Sequence, residues 1–157
     1  MNKATTALCH VRATLSLLVA ASLLAGCSPP PEPPLKGAKI GGPFTLTDQR
    51  GKAVSDTDFA GQYRLIYFGY SFCPDVCPVD LQKLMQGLTR FEKQDAERGA
   101  KIAPIFITVD PARDTPAALA PFVARYHPRL LGLTGSEAAI AAAAKAFVVS
   151  YQKQEGS

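Results

Sequence analysis

Hydrophobic and polar positions along the chain follow two periods, and each period predicts a different element. In PFTLTDQRGKAVS, apolar and polar residues alternate around the turn residues 48–51, which predicts a β-hairpin. The segments RLIYFGY (64–70) and KIAPIFITVD (101–110) are nearly continuous apolar runs, as is typical of strands buried on both faces. Between them, apolar residues recur with helical period at positions 81, 84, 85, 88 and 91.

The second half of the chain continues this alternation. Thr115-Pro116 predicts the start of a helix running to about Tyr126, because threonine caps helices and proline suits a first turn. LLGLT (130–134) is a candidate short strand. A capping box in 134–137 predicts an alanine-rich helix that ends near Phe147, and VVSYQK then begins a further strand. The whole pattern predicts an α/β fold with a largely parallel central sheet, in which reactive groups lie just beyond the carboxyl ends of strands.

Residues 1–26 have the pattern of a secretion signal. Lys3 and Arg12 make the start positive, and the apolar run 13–25 that follows is too short for a permanent membrane span. The run ends in LAGC, which looks like a bacterial lipobox with cleavage before Cys27 and a lipid attached to its sulfur. The alternative is an ordinary secreted protein that is cut nearby and has a cysteine there by chance.

The next segment, 27–39, is rich in proline and predicts an extended tether between the membrane and a folded domain at 40–157. The length of 157 residues and the hydrophobic content of 47% suffice for the core of one domain. A net charge of +4, with no basic cluster, argues against nucleic-acid binding. If Cys9 leaves with the signal and Cys27 is lipidated, the mature domain keeps two thiols, in a compartment where dithiols tend to oxidise.

These two thiols, Cys73 and Cys77, lie in FGYSFCPDVCPVDL, between a buried strand and a helix. A helical turn would bring positions i and i+4 side by side. The partial positive charge of a helix amino terminus favours the thiolate, which is both a nucleophile and a soft metal ligand. Pro74 and Pro78 indicate that the helix begins near Cys77 and leaves Cys73 on the preceding loop.

Three uses of the cysteine pair remain open on these grounds. A structural disulfide would close so short a loop that its entropic contribution would be small. Thiol–disulfide oxidoreductases of the thioredoxin kind have two residues between their cysteines, and this chain has three. A structural zinc site would need four ligands, and the chain has no second cysteine or histidine pair, whereas soft Cu(I) accepts two thiolates with few further ligands.

Four segments in this order, GGPFTLTDQRG, LIYFGYSFCPDVCP, IFITVDPARDTP and HPRLLGLTG, make the chain similar to the SCO/SenC family of copper-binding assembly proteins. The resemblance covers essentially the whole mature domain. It implies a thioredoxin-like fold, with copper bound by Cys73, Cys77 and a histidine later in the chain. It also implies delivery of copper to the dinuclear centre of cytochrome c oxidase.

The expected partner is therefore the copper-bearing subunit of that oxidase or another periplasmic copper protein. A thiol-reductase role is also attached to the family. The alternative function is accordingly an extracytoplasmic thiol–disulfide oxidoreductase, with Cys73 and Cys77 as catalytic residues that form a disulfide when oxidised. The metallochaperone, which is not an enzyme, is the preferred interpretation. The membrane-anchored lipoprotein is expected on the periplasmic side.

The sequence departs from the family pattern at its end. The family's third ligand lies in a VDHS-like segment, and the chain stops at Ser157 before such a segment. We expect a fragment or a prematurely ended reading frame, lacking a closing hairpin and a final helix. The alternative is a short variant whose site is completed by water, a methionine or a partner residue. His127 is expected to be a surface residue at a helix end rather than a ligand, and Met85 to be a core residue.

Four more residues in the matching motifs are candidates for roles near the site. Asp75, between the cysteines, either tunes the charge of the site or is a solvated turn residue. Asp110, Arg113 and Asp114, in VDPARDTP, are expected to form a buried ion pair that braces the loop after the second buried strand. This role is structural rather than catalytic.

Overall fold

Residues 36–152 are the part of the chain that the computed structural model describes. The chain divides into two units after residue 38, and the strands and helices of the described range belong to the second unit, Lys39–Ser157. The predicted signal peptide, Cys27 and most of the predicted tether lie outside the described residues, as do 153–157. Within the described range, no helix has the length and apolar character needed to cross a membrane.

In the described part of the chain, five strands form one sheet: β1 (Thr45–Asp48), β2 (Ala53–Ser55), β3 (Tyr63–Gly69), β4 (Ile102–Thr108) and β5 (Leu131–Thr134). Their order across the sheet is β2-β1-β5-β4-β3. The pairs β3–β4 and β4–β5 are parallel, whereas β1 runs antiparallel to both β2 and β5. The predicted α/β fold is confirmed, but the sheet is mixed rather than largely parallel because the hairpin adds its first strand antiparallel to β5.

The predicted hairpin is confirmed, and its turn explains the residues found there. The Asp48 carboxylate accepts hydrogen bonds from the backbone N–H groups of Arg50, at 2.9 Å, and Lys52, at 2.8 Å. Gly51 has φ +83°, a left-handed conformation that glycine adopts without steric cost. An aspartate that bonds its own turn and a glycine that permits it therefore fix the register of β1 against β2.

Within the described residues, four α-helices connect and flank the strands: α1 (Val76–Gln94), α2 (Ala96–Ala100), α3 (Pro116–Ala124) and α4 (Glu137–Ala146). Helix α3 begins as predicted, with the Thr115 hydroxyl accepting from the backbone N–H of Ala118 at 3.3 Å. The predicted capping box of α4 is wrong in its first residue. Thr134 pairs with Thr47 in the sheet, and Ser136 caps the helix by accepting from the Ala139 N–H at 3.2 Å.

The sheet separates two apolar clusters, and β4 contributes to both. Ile105 and Ile107 belong to the cluster beneath α4 and the hairpin, whereas Phe106 belongs to the cluster beneath α1 and α3. The second cluster also contains Leu81 and Met85 from α1, so Met85 is a core residue, as predicted. Strand β4 is thus buried on both faces, as its apolar run predicted.

Strand β3 does not meet the same expectation. The side chains from Leu65 to Phe68 are only half-buried, because β3 is at the edge of the sheet and pairs with β4 alone within the described residues. An open groove of about 640 Å³ runs between β3 and α1, lined by apolar side chains that include Leu65, Leu84 and Phe91. The prediction that this strand is buried on both faces is therefore wrong.

The strand predicted from VVSYQK is also absent from residues 148–152. The backbone N–H groups of Val148 and Val149 donate back to the carbonyls of Lys145, at 3.1 Å, and Ala144, at 2.8 Å. These bonds satisfy the last carbonyls of α4 and place Val148 in the left-handed region, at φ 57°. The chain therefore turns at the helix end, where the apolar pair had predicted an extended strand.

At the amino-terminal end of β4, Arg129 joins several elements. Its guanidinium donates to the carbonyls of Ile102, at 2.8 Å, and Gly99, at 3.0 Å, and also to the Glu92 carboxylate. His127 is buried beside it: Nδ1 accepts from the Arg129 backbone N–H at 3.2 Å, and Nε2 lies 3.2 Å from Glu92 Oε2. The prediction of a surface histidine is wrong, because both ring nitrogens are used inside this cluster.

This cluster predicts an acid-sensitive contribution to stability. The bond from Arg129, followed by the bond from His127, holds the pKa of Glu92 below its ordinary value. The contribution of the ionised carboxylate is therefore complete above the ordinary glutamate value of about 4.3 and is lost as the pH falls through the lower folded value. We expect Glu92→Gln to lower the free energy of unfolding by about 1 kcal/mol at pH 7 and by less at pH 3.

Urea unfolding of the wild type and the variant at both pH values measures this difference. Glu97→Gln is the matched control, because Glu97 pairs with Lys101 on the surface, where its side chain is 85% exposed. A Glu92→Gln effect of equal size at both pH values would contradict the assignment to the ionised carboxylate.

Candidate metal centre

The carboxyl ends of β3 and β4 bring two loops together. Gly69, the last residue of β3, is in register with Thr108, the last residue of β4, and the Val109 N–H donates to the Gly69 carbonyl at 2.8 Å. The loop after β3 carries the first cysteine, and the loop after β4 carries the VDPARDTP motif. Two loops therefore begin side by side just beyond the carboxyl ends of parallel strands, which is where reactive groups were predicted to lie.

The two cysteines differ in their position on the elements. Cys73 is half-buried on the loop, and Cys77, the second residue of α1, is only 6% exposed. The Cys77 backbone N–H donates to the Cys73 sulfur at 3.4 Å, and both side chains are free thiols. The helix begins at Val76, which agrees with the prediction that it starts near Cys77 and leaves Cys73 before it.

The surroundings of the two thiols shift their pKa values in opposite directions. Burial acts to raise the pKa of Cys73, but hydrogen bonds from the backbone N–H groups of Asp75 and Cys77, and from neighbouring side chains, hold it below its ordinary value. Burial, followed by the interaction with Cys73, raises the pKa of Cys77. The accessible sulfur is therefore the one that ionises first, and the buried sulfur keeps its proton longer.

Two tyrosines contact the sulfurs, and the sequence pattern had not singled them out. Burial, followed by a hydrogen bond to Cys77, raises the pKa of Tyr67, on β3. The charge of Cys73 and a hydrogen bond to it raise the pKa of Tyr70, in the loop. Each thiol therefore affects the pKa of its own neighbouring tyrosine. The sequence does place both tyrosines just before the first cysteine, and this proximity could have indicated a contact with the thiols. Hydrophobic periodicity alone counts them as residues of the strand.

Gly69 is a third residue that the sequence pattern missed. A Cβ built at this position would lie 3.3 Å from the Cys77 sulfur and 2.8 Å from the Tyr67 ring. The glycine therefore lets the end of β3 approach the buried thiol closely.

The charged residues of VDPARDTP do not form the expected single group. Asp110 and Arg113 make an ion pair, but Arg113 is 39% exposed and its guanidinium also lies over the Phe72 ring, 5.3 Å from the centroid. Asp114 is not part of that pair: it is fully buried and bonds to Ser71 and Thr108. The predicted buried ion pair is wrong, because the buried carboxylate takes neutral donors and the charged pair remains near the surface.

The other residues considered as site residues or ligands from the sequence are not placed to bind a metal together with the two sulfurs. Asp75 is exposed and precedes α1 without a capping bond from its side chain. His127 lies at the opposite end of β4, and Met85 is in the core. Within residues 36–152, no three or more His, Cys, Asp or Glu side chains form a group that could hold a metal ion. The donor set offered by this part of the chain is two sulfurs, which suits a soft ion of low coordination number such as Cu(I).

Comparison with known proteins settles the family. A model described as SCO1/SenC matches residues 32–157, which is most of the chain. The chain belongs to the SCO1/SenC family. It is 49% identical over 119 residues to the Protein SCO2 homolog, mitochondrial, of Bos taurus, covering 74% of this chain and 44% of that protein. This SCO1/SenC chain thus spans less than half the length of that relative.

Solved structures agree with the fold. The crystal structure of Arabidopsis thaliana ScoI with copper bound is 39% identical, with a TM-score of 0.70, covering 75% of this chain and 71% of that one. The structure of BsSco is 30% identical, with a TM-score of 0.62, covering 76% of this chain and 70% of that one. It is described as a member of the Sco family of cytochrome c oxidase assembly proteins with a disulfide switch. The predicted thioredoxin-like α/β fold is confirmed.

Proposed function

We propose that this SCO1/SenC chain is a copper-binding metallochaperone that assists assembly of the copper centre of cytochrome c oxidase. Copper is its cargo, and the thiolates of Cys73 and Cys77 hold it. The observation that carries the proposal is the pairing of an accessible thiol of lowered pKa with a buried thiol, beside a helix amino terminus. Copper bound to the ScoI relative supports the choice of metal.

The arrangement suits the uptake and release of Cu(I). Binding requires both sulfurs as thiolates, so Cys77 gives up its proton as the metal enters. Because Cys73 is the more accessible sulfur, a thiolate of the partner can replace it on the metal first, and the bond to Cys77 breaks second. The partner we propose is the copper-bearing oxidase subunit or another periplasmic copper protein.

The same asymmetry supports a second candidate function, thiol–disulfide exchange. In that reaction Cys73 attacks a partner's disulfide and releases one thiolate, and Cys77 then displaces the remaining partner sulfur to leave a Cys73–Cys77 disulfide. The disulfide switch described for BsSco favours such chemistry in a relative. Copper transport remains the first proposal because three residues, rather than two, separate the cysteines and because the ScoI structure holds copper.

The proposal also assigns roles to the residues before the folded domain, most of which lie outside the described range. Residues 1–26 would be removed as a signal peptide, a lipid on Cys27 would anchor the chain, and 27–39 would tether the domain at 40–157 outside the cytoplasm. Since both ring nitrogens of His127 are used in its own cluster, we expect any third copper ligand to come from outside residues 36–152.

Anaerobic titration of the full chain with Cu(I) tests the function, with a chromophoric chelator as competitor. We expect the reduced chain to bind one Cu(I) and the Cys73–Cys77 disulfide form to bind none, because only thiolates are ligands. X-ray absorption of the loaded chain should show two sulfur neighbours. A reduced chain that takes up no copper at micromolar excess, yet turns over a mixed disulfide without metal, would instead establish thiol–disulfide exchange as its function.

A further inference from the structure

Asp114 has a buried carboxylate that the proposed copper chemistry does not use. Its side chain is 0% exposed, and it accepts hydrogen bonds from three donors. These are the Ser71 backbone N–H at 2.9 Å, the Ser71 hydroxyl, and the Thr108 hydroxyl at 2.6 Å. All three donors are neutral, and no salt bridge within the described residues includes Asp114. Burial of a carboxylate is costly without such donors, so this arrangement is specific to an acceptor-only group.

The contacts of Asp114 join the two loops of the site. Thr108 ends β4, and Ser71 lies in the loop after β3, two residues before Cys73 and 43 positions away from Asp114. Within the same loop, the Cys73 N–H donates to the Tyr70 carbonyl at 3.3 Å. Asp114 therefore attaches the middle of the turn that carries Cys73 to the carboxyl end of β4.

The neighbouring residue strengthens this attachment from the outside. The Arg113 guanidinium lies 5.9 Å from the centroid of the Tyr70 ring and 5.3 Å from that of Phe72. Arg113 and Asp114, two consecutive residues, thus contact three consecutive residues, 70–72. The loop before Cys73 is held through one backbone donor, one hydroxyl and two aromatic faces.

We propose that Asp114 is a positioning residue that holds Cys73 against the amino terminus of α1 through Ser71. The bond that depends on this position is the one from the Cys77 N–H to the Cys73 sulfur, at 3.4 Å. Without Asp114, the Ser71 N–H loses its acceptor and the loop no longer fixes the distance between the two sulfurs. The effect on copper rests on the proposed function, whereas the effect on thiol reactivity does not.

Asp114→Asn in the full chain tests this role, because it keeps the shape but turns an amide NH₂ group toward hydrogen-bond donors. We expect the alkylation rate of Cys73 by iodoacetamide at pH 7, followed by peptide mapping, to fall about tenfold. Cu(I) affinity should fall about 10- to 100-fold, the range typical of residues that support a metal ligand. Asp95→Asn is the matched control: it removes an ion pair with Arg98 at the opposite end of α1 and should keep both values within about twofold of the wild type.

Two further variants keep the test decisive if Asp114→Asn does not fold. Ser71→Ala and Thr108→Val each remove one hydroxyl donor to Asp114, but only Ser71 lies on the loop of Cys73. We expect Ser71→Ala to slow alkylation of Cys73 at least threefold, and Thr108→Val to lower stability with alkylation within about twofold of the wild type.

Equal alkylation rates in the wild type, Asp114→Asn and Ser71→Ala would overturn the proposal and leave Asp114 as a residue of the fold alone. Slower alkylation in these variants, in a chain that binds no Cu(I) at all, would support the positioning role while the proposed copper function fails. The thiol readout therefore separates the two outcomes.

Discussion

Cys77→Ser is expected to lower the Cu(I) affinity of the reduced chain by more than about 100-fold. Residues that merely support a metal ligand typically account for 10- to 100-fold, and Cys77 is proposed as a ligand itself. A serine hydroxyl is a hard, protonated donor that does not replace a thiolate for Cu(I). Competition with a chromophoric Cu(I) chelator under anaerobic conditions measures the loss.

The matched control is Cys27→Ser, the same chemical change at the cysteine that we propose is lipidated. It should leave the Cu(I) affinity of the unlipidated chain unchanged. Cys77→Ser also keeps the backbone N–H that donates to the Cys73 sulfur, so alkylation of Cys73 should persist and show that the loop is intact. A Cys77→Ser chain that keeps Cu(I) affinity within tenfold of the wild type would remove Cys77 from the ligand set.

The sequence correctly predicts that Cys73 lies on a loop and Cys77 in the first turn of a helix, because the signals for both are local. An apolar run, two prolines and a helical period lie within a short stretch of chain around Cys73 and Cys77, and each has a direct structural meaning. The start of α1 and the loop position of Cys73 follow from them.

The contacts around the thiols could not be predicted in this way because they join distant parts of the chain. Ser71 and Asp114 are 43 positions apart, and only the parallel register of Gly69 with Thr108 brings their loops together. The motif VDPARDTP suggested an ion pair among its own charges, since a local pattern shows no distant partner. The neutral donors that hold Asp114 come from other segments of the chain.

The burial of β3 and of His127 depends on how distant elements are arranged, and the sequence pattern does not predict it. The apolar runs of β3 and β4 look alike, but β4 lies between two strands and β3 is at the edge of the sheet. His127 follows a helix, where an imidazole suits the helix dipole at the surface, yet it is buried beside Glu92 and Arg129. The order of the strands and the contacts that bury His127 depend on the whole fold. Periodicity along the chain does not predict them.

Phe106→Ala is expected to lower the free energy of unfolding by about 3–5 kcal/mol, the usual cost of removing a buried phenylalanine side chain. Phe106 is 0% exposed on β4, which lies between β5 and β3. Its ring centroid lies 5.1 Å from that of Phe122 and 6.3 Å from that of Tyr67, and the Phe106 ring and the Cys77 sulfur both approach the Cβ position of Gly69, each at 3.3 Å. The truncation would therefore leave a cavity beneath the buried thiol as well as in the core, and we expect Cys77 to be alkylated faster.

Urea unfolding at pH 7 measures the first effect, and peptide mapping after alkylation measures the second. Phe72→Ala is the matched control: the same truncation at a side chain that is 59% exposed should change the free energy of unfolding by no more than about 0.5 kcal/mol. If Phe106→Ala proves too unstable to purify, Phe106→Leu should cost less, about 1.5 kcal/mol, because it keeps most of the volume. A loss below about 1 kcal/mol for Phe106→Ala would mean that α1 and α3 repack without this ring, and that the aromatic cluster does not support the site.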